Sequence, residues 1–406
     1  MKKIGLLTHH YASNFGANLQ TLSTFERLKK EGFCPIVIDW RSKSLDKNFS
    51  SSVPEGQRKE HEEFVNKYFS LTEKCFEPEE IARVIDENDI QAVVVGSDAV
   101  VQHWPLLSRI AFPTRNIISV RKFSSDRMFP NQFWGDFIPY LKHPIKMCYM
   151  SVSSQNSPYC YIKGETKRRM SEAIGMFDYI SVRDTWTKNM FKYLNPLVGD
   201  IRVTPDPVFS FNKNAGHLLL PKDELLKKYG LPEKYILLCF FKVDSINSKW
   251  IDTFVSKAEE GGYECFSFPL PTGAYEHPRL KPIKFPLSPL DWYSIIKHSS
   301  GFIGRNMHPV VISLHNEVPC FSFDQYGTKT LNMFVNAKSS KIYHILGKAG
   351  LLENRTNFQQ PFPITPKPDC VYDRIANYDK ELYHRFSVLQ QQEYDEMIGE
   401  IKAVIS

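Results

Sequence analysis

The fold is decided by the stretch from Lys3 to Trp40, KIGLLTHHYASNFGANLQTLSTFERLKKEGFCPIVIDW. Lys3 to Leu7 is a short apolar run that ends in a polar loop, after which apolar residues recur every three positions until Gly32. This pattern predicts a strand, a loop and a helix, and Pro35 to Trp40 predicts a second strand. A strand–helix–strand unit requires a crossover connection, which makes the sheet parallel.

The same alternation continues through the rest of the chain. Continuous apolar runs typical of buried parallel strands follow at Ala92 to Gly96, Lys146 to Val152 and Asp178 to Val182. A second series of strands and helices begins with YILLCFF, from Tyr235 to Phe241. We therefore predict an α/β fold in which two doubly wound, Rossmann-like domains face each other across a cleft.

A segment rich in proline and asparagine, from Asp200 to Pro221, predicts a crossing between the two domains. The expected organisation is an N-terminal domain over residues 1–208, a C-terminal domain over 209–375, and a C-terminal helix over 376–406 that packs back across the seam. Two stretches without clear periodicity, Lys43 to Glu63 and Trp104 to His143, predict loops or insertions near the first domain.

Composition excludes several classes of protein. The 406 residues are 42% apolar and 13% aromatic, which excludes a disordered chain. The net charge of +6 is modest and no basic helix is visible, so we expect no nucleic-acid partner. The eight cysteines lack metal-ligand spacing, and no metal site is predicted. The N-terminus lacks a signal-peptide core and no apolar run is long enough to span a bilayer, so we expect a cytoplasmic protein with at most peripheral contact at the inner face of the cell membrane.

Polar or small residues follow the first and third predicted strands. They are Asn14, Gly16, Asn18, Gln20, Ser97 and Asp98. Backbone N–H groups at the start of a helix suit an anion or sugar hydroxyls, and a carboxylate at a strand end can orient a hydroxyl. The same residue types are also typical of helix caps, so a purely structural role stays open at this point.

Two further segments place charge at strand ends. Arg183 follows the strand DYISV, and its guanidinium suits a carboxylate or phosphate, although the neighbouring Asp184 offers an ion pair instead. The motif TPDPVF, from Thr204 to Phe209, is restricted by two prolines. It predicts a domain hinge rather than a catalytic aspartate.

The densest cluster of polar residues lies in a loop between a predicted strand and a predicted helix. It holds Arg305, Asn306 and His308, and Pro309 fits the first helical turn. One guanidinium, one amide and one imidazole at a helix N-terminus suit a multiply charged anion with proton transfer beside it. Lys329 offers a second positive charge for the same pocket, with a solvated lysine as the alternative.

The order of these segments resembles the polysaccharide pyruvyl transferase family. The resemblance runs from GLLTHHYASNFGANLQTLSTFERL through DIQAVVVGSDAV, MCYMSVSS, DYISVRDTW and VTPDPVF to GRNMHPVVISLHNEVPCFSFDQYGTK. It implies a two-domain fold like that of B-type glycosyltransferases (GT-B). It also implies an enzyme that moves the enolpyruvyl group of phosphoenolpyruvate onto two hydroxyls of a sugar in a surface or capsular polysaccharide precursor and releases phosphate. No cofactor is implied besides this donor substrate.

The resemblance implies roles for individual residues. Donor binding falls to Arg183, Arg305, Asn306, Met307 and Lys329. Acceptor binding falls to the polar or small residues that follow the first and third strands. Such chemistry needs one group that gives and then accepts protons, and His308 is expected to do so because an imidazole titrates near neutrality.

Two positions differ from the usual pattern of this family. Asn306 stands two residues before the histidine, where arginine is usual, and Ala99 follows GSD in place of glutamine. One alternative is a glycosyltransferase of the same shape that uses a nucleotide sugar, with Glu317 as the candidate carboxylate for the ribose hydroxyls. Another is an inactive binding protein on the same fold. The acceptor sugar, its hydroxyl pair, the ketal stereochemistry, a lipid carrier for the acceptor and the oligomeric state stay open.

Overall fold

Within the described part of the chain, two parallel six-stranded sheets form the framework. The computed structural model describes residues 1–43, 52–114, 117–240, 246–330, 334–360 and 362–406, without the side chains of 111–118 and 329–334. The strands of the N-terminal half are β1 (Lys3–Leu7), β2 (Cys34–Val37), β3 (Ile90–Asp98), β4 (Ile110–Thr114), β5 (Ile117–Val120), β6 (Lys146–Val152), β7 (Tyr179–Val182) and β8 (Arg202–Val203). The first sheet has the order β2-β1-β3-β6-β7-β8, and β4 and β5 form a separate antiparallel hairpin.

The helices of the N-terminal half connect these strands. They are α1 (Phe15–Lys30), α2 (Glu55–Tyr68), α3 (Pro78–Glu87), α4 (Leu106–Arg109), α5 (Gly164–Gly175) and α6 (Thr185–Leu194). Helix α1 begins after Asn14, whose side chain accepts a hydrogen bond from the Ala17 N–H at 3.2 Å. Since α1 contacts both β3 and a helix of the second half, it lies between the two domains, and nearly all of its residues are buried.

The C-terminal half repeats the architecture. Its strands are β9 (Tyr235–Cys239), β10 (Glu264–Ser267), β11 (Lys281–Pro282), β12 (Gly301–Gly304), β13 (Cys320–Asp324), β14 (Thr328–Thr330), β15 (Phe334–Asn336) and β16 (Arg355–Asn357). Its helices are α7 (Phe211–Ala215), α8 (Lys222–Tyr229), α9 (Ser248–Glu260), α10 (Pro289–Lys297), α11 (Met307–His315), α12 (Lys341–Lys348), α13 (Pro368–Ala376) and α14 (Lys380–Ile405). The sheet order is β11-β10-β9-β12-β13-β16, so the central strand β9 is buried along its whole length, as its apolar sequence predicts.

The predicted fold class is confirmed, but one predicted loop is wrong in part. Residues 44–51 of the stretch from Lys43 to Glu63 lie outside the described residues, and the remainder enters helix α2. This helix buries His61, Phe64 and Val65, which share one face at helical spacing. The charged residues around them hid this short apolar stripe. The other predicted insertion, from Trp104 to His143, contains only the short α4, the β4–β5 hairpin and single turns among its described residues.

Aromatic stacking and a buried amide join the two domains. The rings of Phe15 in α1 and Trp292 in α10 stack with centroids 4.8 Å apart. The Gln57 side chain donates to the Leu287 carbonyl at 2.8 Å and accepts from the Leu287 N–H at 2.9 Å. The segment after β8 contacts α1, where Ser23 donates to the Pro207 carbonyl at 2.7 Å. The exact domain boundary at residue 208 stays a prediction.

The last helix, α14, returns from the second domain to the first. Its residue Ser387 donates to the His315 carbonyl of α11 at 2.8 Å. Further along, the Met397 sulfur accepts hydrogen bonds from Ser151 and Ser181 beneath the first sheet, at 3.2 and 3.4 Å. The helix therefore covers the seam, as predicted. None of the helices in the described ranges combines the length and the apolar content needed to cross a bilayer.

We expect Met397→Ala to destabilise the protein by about 2–5 kcal/mol, because its fully buried side chain joins α14 to the first sheet and truncation leaves a cavity. Leu389→Ala on the same helix is the matched control, because that side chain is 44% exposed and its loss should cost at most about 0.5 kcal/mol. Urea denaturation measures both changes. Equal losses for the two variants would show that the return of α14 does not stabilise the first domain.

Candidate active site

The two sheets place helix N-termini around one cavity. Helix α1 follows β1 and helix α11 follows β12, so both begin at the carboxyl ends of parallel strands, where ligands of such sheets bind. Together with the start of α12 they surround a cavity of 260 Å³, which we name the cleft cavity. It is lined by Asn14, Phe15, Gly16, Asp98, Leu270, Pro271, Thr272, Trp292, Asn306, Met307, His308, Pro309, Tyr326 and Lys341. Helix N-termini carry partial positive charge, so the cleft cavity favours an anion.

A buried group of charges lies directly behind the cleft cavity. The Arg183 guanidinium donates to Asp206 at 2.7 Å (Nη1–Oδ2) and lies 3.6 Å from Asp98 (Nη2–Oδ1). Burial alone would lower the pKa of Arg183, but the two carboxylates raise it above its ordinary value. Within the described residues, Nε and Nη2 of Arg183 have no hydrogen-bond partner. This guanidinium is therefore only partly satisfied by the protein.

Asp206 is the centre of this group, although its sequence predicts a hinge. Its carboxylate is 1% exposed and accepts hydrogen bonds from Arg183, from Gln20 of α1 and from the Val208 N–H, the last at 3.0 Å. The hinge interpretation therefore missed a functional candidate. The two flanking prolines restrict the turn that holds this carboxylate in place. A carboxylate between two prolines directly after a strand was the available signal.

His308 approaches the same carboxylate from the second domain. It lies in the first turn of α11, with Nε2 3.8 Å from Oδ2 of Asp206. Its ring lies against Gly16 of α1, where a Cβ added to the glycine would fall 2.0 Å from Nδ1. Burial lowers the pKa of His308 to about 4, and the Asp206 and Asp98 carboxylates only partly oppose this. The expected titration near neutrality is therefore wrong for the protein without ligand, in which the imidazole is neutral.

The predicted acceptor-side residues divide into two groups. Asn14, Gly16 and Asp98 line the cleft cavity, and Asn14 also caps α1. Asn18, Gln20 and Ser97 are buried behind the residues that line the cleft cavity, and they form hydrogen bonds with other protein groups. Asn18 bonds to the His10 carbonyl and to His61, while Gln20 donates to Ser97 and Asp206. These three residues therefore support the lining of the cleft cavity and do not belong to it.

The predicted donor-side residues also divide. Asn306 and Met307 line the cleft cavity together with His308. Arg305 is half-buried near Tyr326, and its positive charge opposes the rise in the pKa of that tyrosine, which burial raises to about 12. The backbone of Lys329 belongs to β14, but its side chain lies outside the described residues.

The sequence prediction missed Lys341. This residue begins α12 and lines the cleft cavity, with a side chain buried beside Tyr326. A cation at the first position of a helix opposes the helix dipole, because the N-terminus is the positive end. That placement alone does not distinguish Lys341 in the sequence, because α8 and α14 also begin with a lysine, at Lys222 and Lys380. No group of three or more potential metal ligands occurs among the described residues.

A family model described as polysaccharide pyruvyl transferase matches residues 14–325, which is more than half of the chain. This chain belongs to the polysaccharide pyruvyl transferase family. The match begins at the cap of α1 and ends just after β13, so it includes Arg183, Asp206 and His308. No curated protein matches the chain.

Solved structures share the fold of this pyruvyl transferase family member. A putative UDP-N-acetylglucosamine 2-epimerase from Listeria monocytogenes aligns with a TM-score of 0.50 at 10% identity, over 99% of this chain and 96% of that chain. A protein named LpCGTa, solved in complex with UDP, aligns with a TM-score of 0.50 at 10% identity, over 100% of this chain and 99% of that chain. At such low identity the likeness shows the fold alone, and it confirms the predicted GT-B architecture.

We expect Gly16→Ala to displace the His308 ring and to destabilise the transferase by about 1–3 kcal/mol, because the added methyl group overlaps the imidazole. Gly399→Ala in α14 is the control. Among the described residues, nothing beyond the adjoining residues and backbone of α14 lies within 4 Å of the Cβ it would add, and alanine favours helix by up to about 1 kcal/mol. Urea denaturation should show opposite signs for the two variants. Stabilisation by both would mean that α1 and the His308 ring are not in contact in solution.

The buried imidazole should also make stability depend on pH. Because the pKa of His308 is about 4 in the folded protein, below its ordinary 6.5, the unfolded chain binds the proton more readily. The neutral ring stabilises the fold fully above pH 6.5, and this contribution, at most about 3 kcal/mol, is lost as pH falls towards 4. Denaturation of the wild type and His308→Gln across this range measures the difference. Parallel curves would contradict a buried neutral imidazole.

Proposed function

We propose that this transferase moves the enolpyruvyl group of phosphoenolpyruvate onto two hydroxyls of one sugar, forming a pyruvate ketal and releasing phosphate. The observation that supports it is a cleft cavity ringed by helix N-termini and lined by His308, with Asp206 behind it close to both Arg183 and His308. The acceptor is then a surface-polysaccharide precursor. A cytoplasmic location and a lipid carrier for that precursor stay expectations.

The electrostatics suit this donor. Phosphoenolpyruvate carries a phosphate and a carboxylate, and an enclosed site must offset their charge with cations and N–H donors. The starts of α1, α11 and α12 supply backbone N–H groups, while Nε and Nη2 of Arg183 have no hydrogen-bond partner in the part of the chain that the structure describes. Asp98 is the one carboxylate among the described residues that line the cleft cavity. Burial raises its pKa, but Arg183 and Lys341 outweigh this and hold the pKa well below its ordinary value, so it remains ionised.

The reaction needs four proton transfers, which one imidazole can perform. The donor's negative charge raises the pKa of His308, and the resulting imidazolium protonates the methylene carbon. The first sugar hydroxyl attacks the central carbon and returns its proton to the ring. The ring then protonates the departing phosphate, and the second hydroxyl attacks and gives up its proton in turn. The imidazolium is restored, and the two hydroxyl protons end on the new methyl group and on the phosphate.

Asp206 has a positioning role in this scheme. Its carboxylate lies 3.8 Å from Nε2 of His308, close enough to stabilise an imidazolium each time it forms. The hydrogen bond from Arg183 fixes the same carboxylate in place. A charge change on the ring is thereby balanced without movement of the protein.

The structure weakens the residue argument for a nucleotide-sugar enzyme. Glu317, the candidate for the ribose hydroxyls, lies beyond the C-terminal end of α11. There it bonds to His384 of α14 at 2.8 Å, and it does not line the cleft cavity. We therefore do not propose a nucleotide sugar as the donor, and the test below would reveal one.

Ligand-induced thermal shifts test the donor class. We expect phosphoenolpyruvate to raise the melting temperature, with a stabilisation of about 2.7 kcal/mol at a concentration 100 times Kd, and uridine diphosphate to have no effect. Incubation with phosphoenolpyruvate and a panel of sugars should release phosphate. Mass spectrometry should then show one sugar heavier by one pyruvate less one water.

Two variants control this assay. His308→Gln should abolish phosphate release, because the amide cannot shuttle protons, while His384→Gln on α14 should behave like the wild type. Stabilisation by uridine diphosphate alone would replace the proposal with nucleotide-sugar chemistry. Binding of phosphoenolpyruvate without turnover on any sugar would identify an inactive binding protein.

A further inference from the structure

Lys341 lies where two cavities meet. It is the first residue of α12, its side chain lines the cleft cavity, and it also lines a void of 10 Å³ behind that cavity, next to Arg183 and Asp206. The residue is only 8% exposed. The enzyme therefore holds a long cationic side chain inside the protein, between the cleft cavity and the buried charges.

Among the described residues, no carboxylate contacts this ammonium directly. Within the described residues, its close contact is a cation–π interaction with Tyr326, with Nζ 4.9 Å from the ring centroid, and no hydrogen bond or ion pair accompanies it. A buried cation without a contacting carboxylate is costly. The cost is offset when an anion enters the cleft cavity.

Charged and titratable groups face Lys341 from every element around it. They are Asp98 at the end of β3, Arg183 and Asp184 after β7, Asp206 after β8, His308 of α11, Tyr326 after β13, and His344 and Lys348 of α12 itself. Burial, followed by the charge of Arg183, lowers the pKa of Lys341 to about 8, while the three aspartates oppose this. The lysine is thus mostly protonated at neutral pH but loses its proton under mildly alkaline conditions.

We propose that Lys341 binds the phosphate group of the donor. This assignment rests on the proposed function and extends that function by naming the residue that recognises the donor phosphate. A compact ammonium beside the N-termini of α11 and α12 is the combination that phosphate favours.

The proposal gives donor affinity a distinctive pH dependence. Phosphate binds the protonated lysine, so donor affinity shows an additional fall above the pKa of the free ammonium, by at most about tenfold per pH unit and separate from the proton uptake at His308. Lys341→Arg keeps a positive charge throughout this range and should remove the fall. Lys341→Gln should bind phosphoenolpyruvate at least about tenfold more weakly, without the fall, because one charged contact is worth about 1.5–3 kcal/mol.

Calorimetric titration between about pH 7 and pH 9.5 tests this, with phosphoenolpyruvate, inorganic phosphate and pyruvate as separate probes. Lys338→Gln is the matched control, because Lys338 is exposed and lies three residues before Lys341. We expect Lys341→Gln to lose affinity for phosphoenolpyruvate and inorganic phosphate but to keep that for pyruvate. The control should match the wild type with every probe.

The outcomes separate this proposal from the proposed function. Equal phosphoenolpyruvate affinity in the wild type and Lys341→Gln, or a selective loss of pyruvate binding, overturns the role of Lys341 and leaves pyruvyl transfer intact. Phosphate binding that depends on Lys341, in a protein that neither binds nor turns over phosphoenolpyruvate, overturns pyruvyl transfer and leaves the phosphate site intact. Urea denaturation of Lys341→Gln confirms that the variant is folded.

Discussion

The contact between Asp206 and its three polar neighbours constrains the whole centre of the molecule. One carboxylate accepts from Arg183 at the end of one strand and from Gln20 on the helix between the domains, and it faces His308 from the second domain. Because these partners come from different elements, the full arrangement around Asp206 forms only when both sheets and α1 are in register. The site is therefore assembled when the two domains and α1 pack against each other.

Around this carboxylate the electrostatics separate into two layers. The inner layer balances its charges within the protein, through Arg183 with Asp206 and Asp98. The outer layer leaves positive potential exposed to the cleft cavity, from the starts of α1, α11 and α12 and from the side chain of Lys341. Burial keeps the imidazole neutral, although the Asp206 and Asp98 carboxylates of the inner layer favour its charged form, and the outer layer attracts an anion into the cleft cavity.

Sequence predicts the framework well because buried parallel strands are continuous apolar runs, and β6 matches its predicted limits. It predicts His308 and the loop before α11 because they follow a strand directly. The sequence does not predict Asp206 and Lys341 as site residues, because their roles depend on distant partners that only the packed domains bring together. The sequence does not predict helix α2, because the buried face described above has only three residues among many charged ones.

The return of α14 has a consequence for biosynthesis. Lys2 donates to the Ile405 carbonyl at 3.1 Å, so the first strand and the final turn of the chain are neighbours. Before α14 is synthesised, all strands of the N-terminal sheet are already present in the nascent chain, but β6 and β7 lack the helix that covers them. That surface stays uncovered until α14 has been synthesised and packs against β6 and β7.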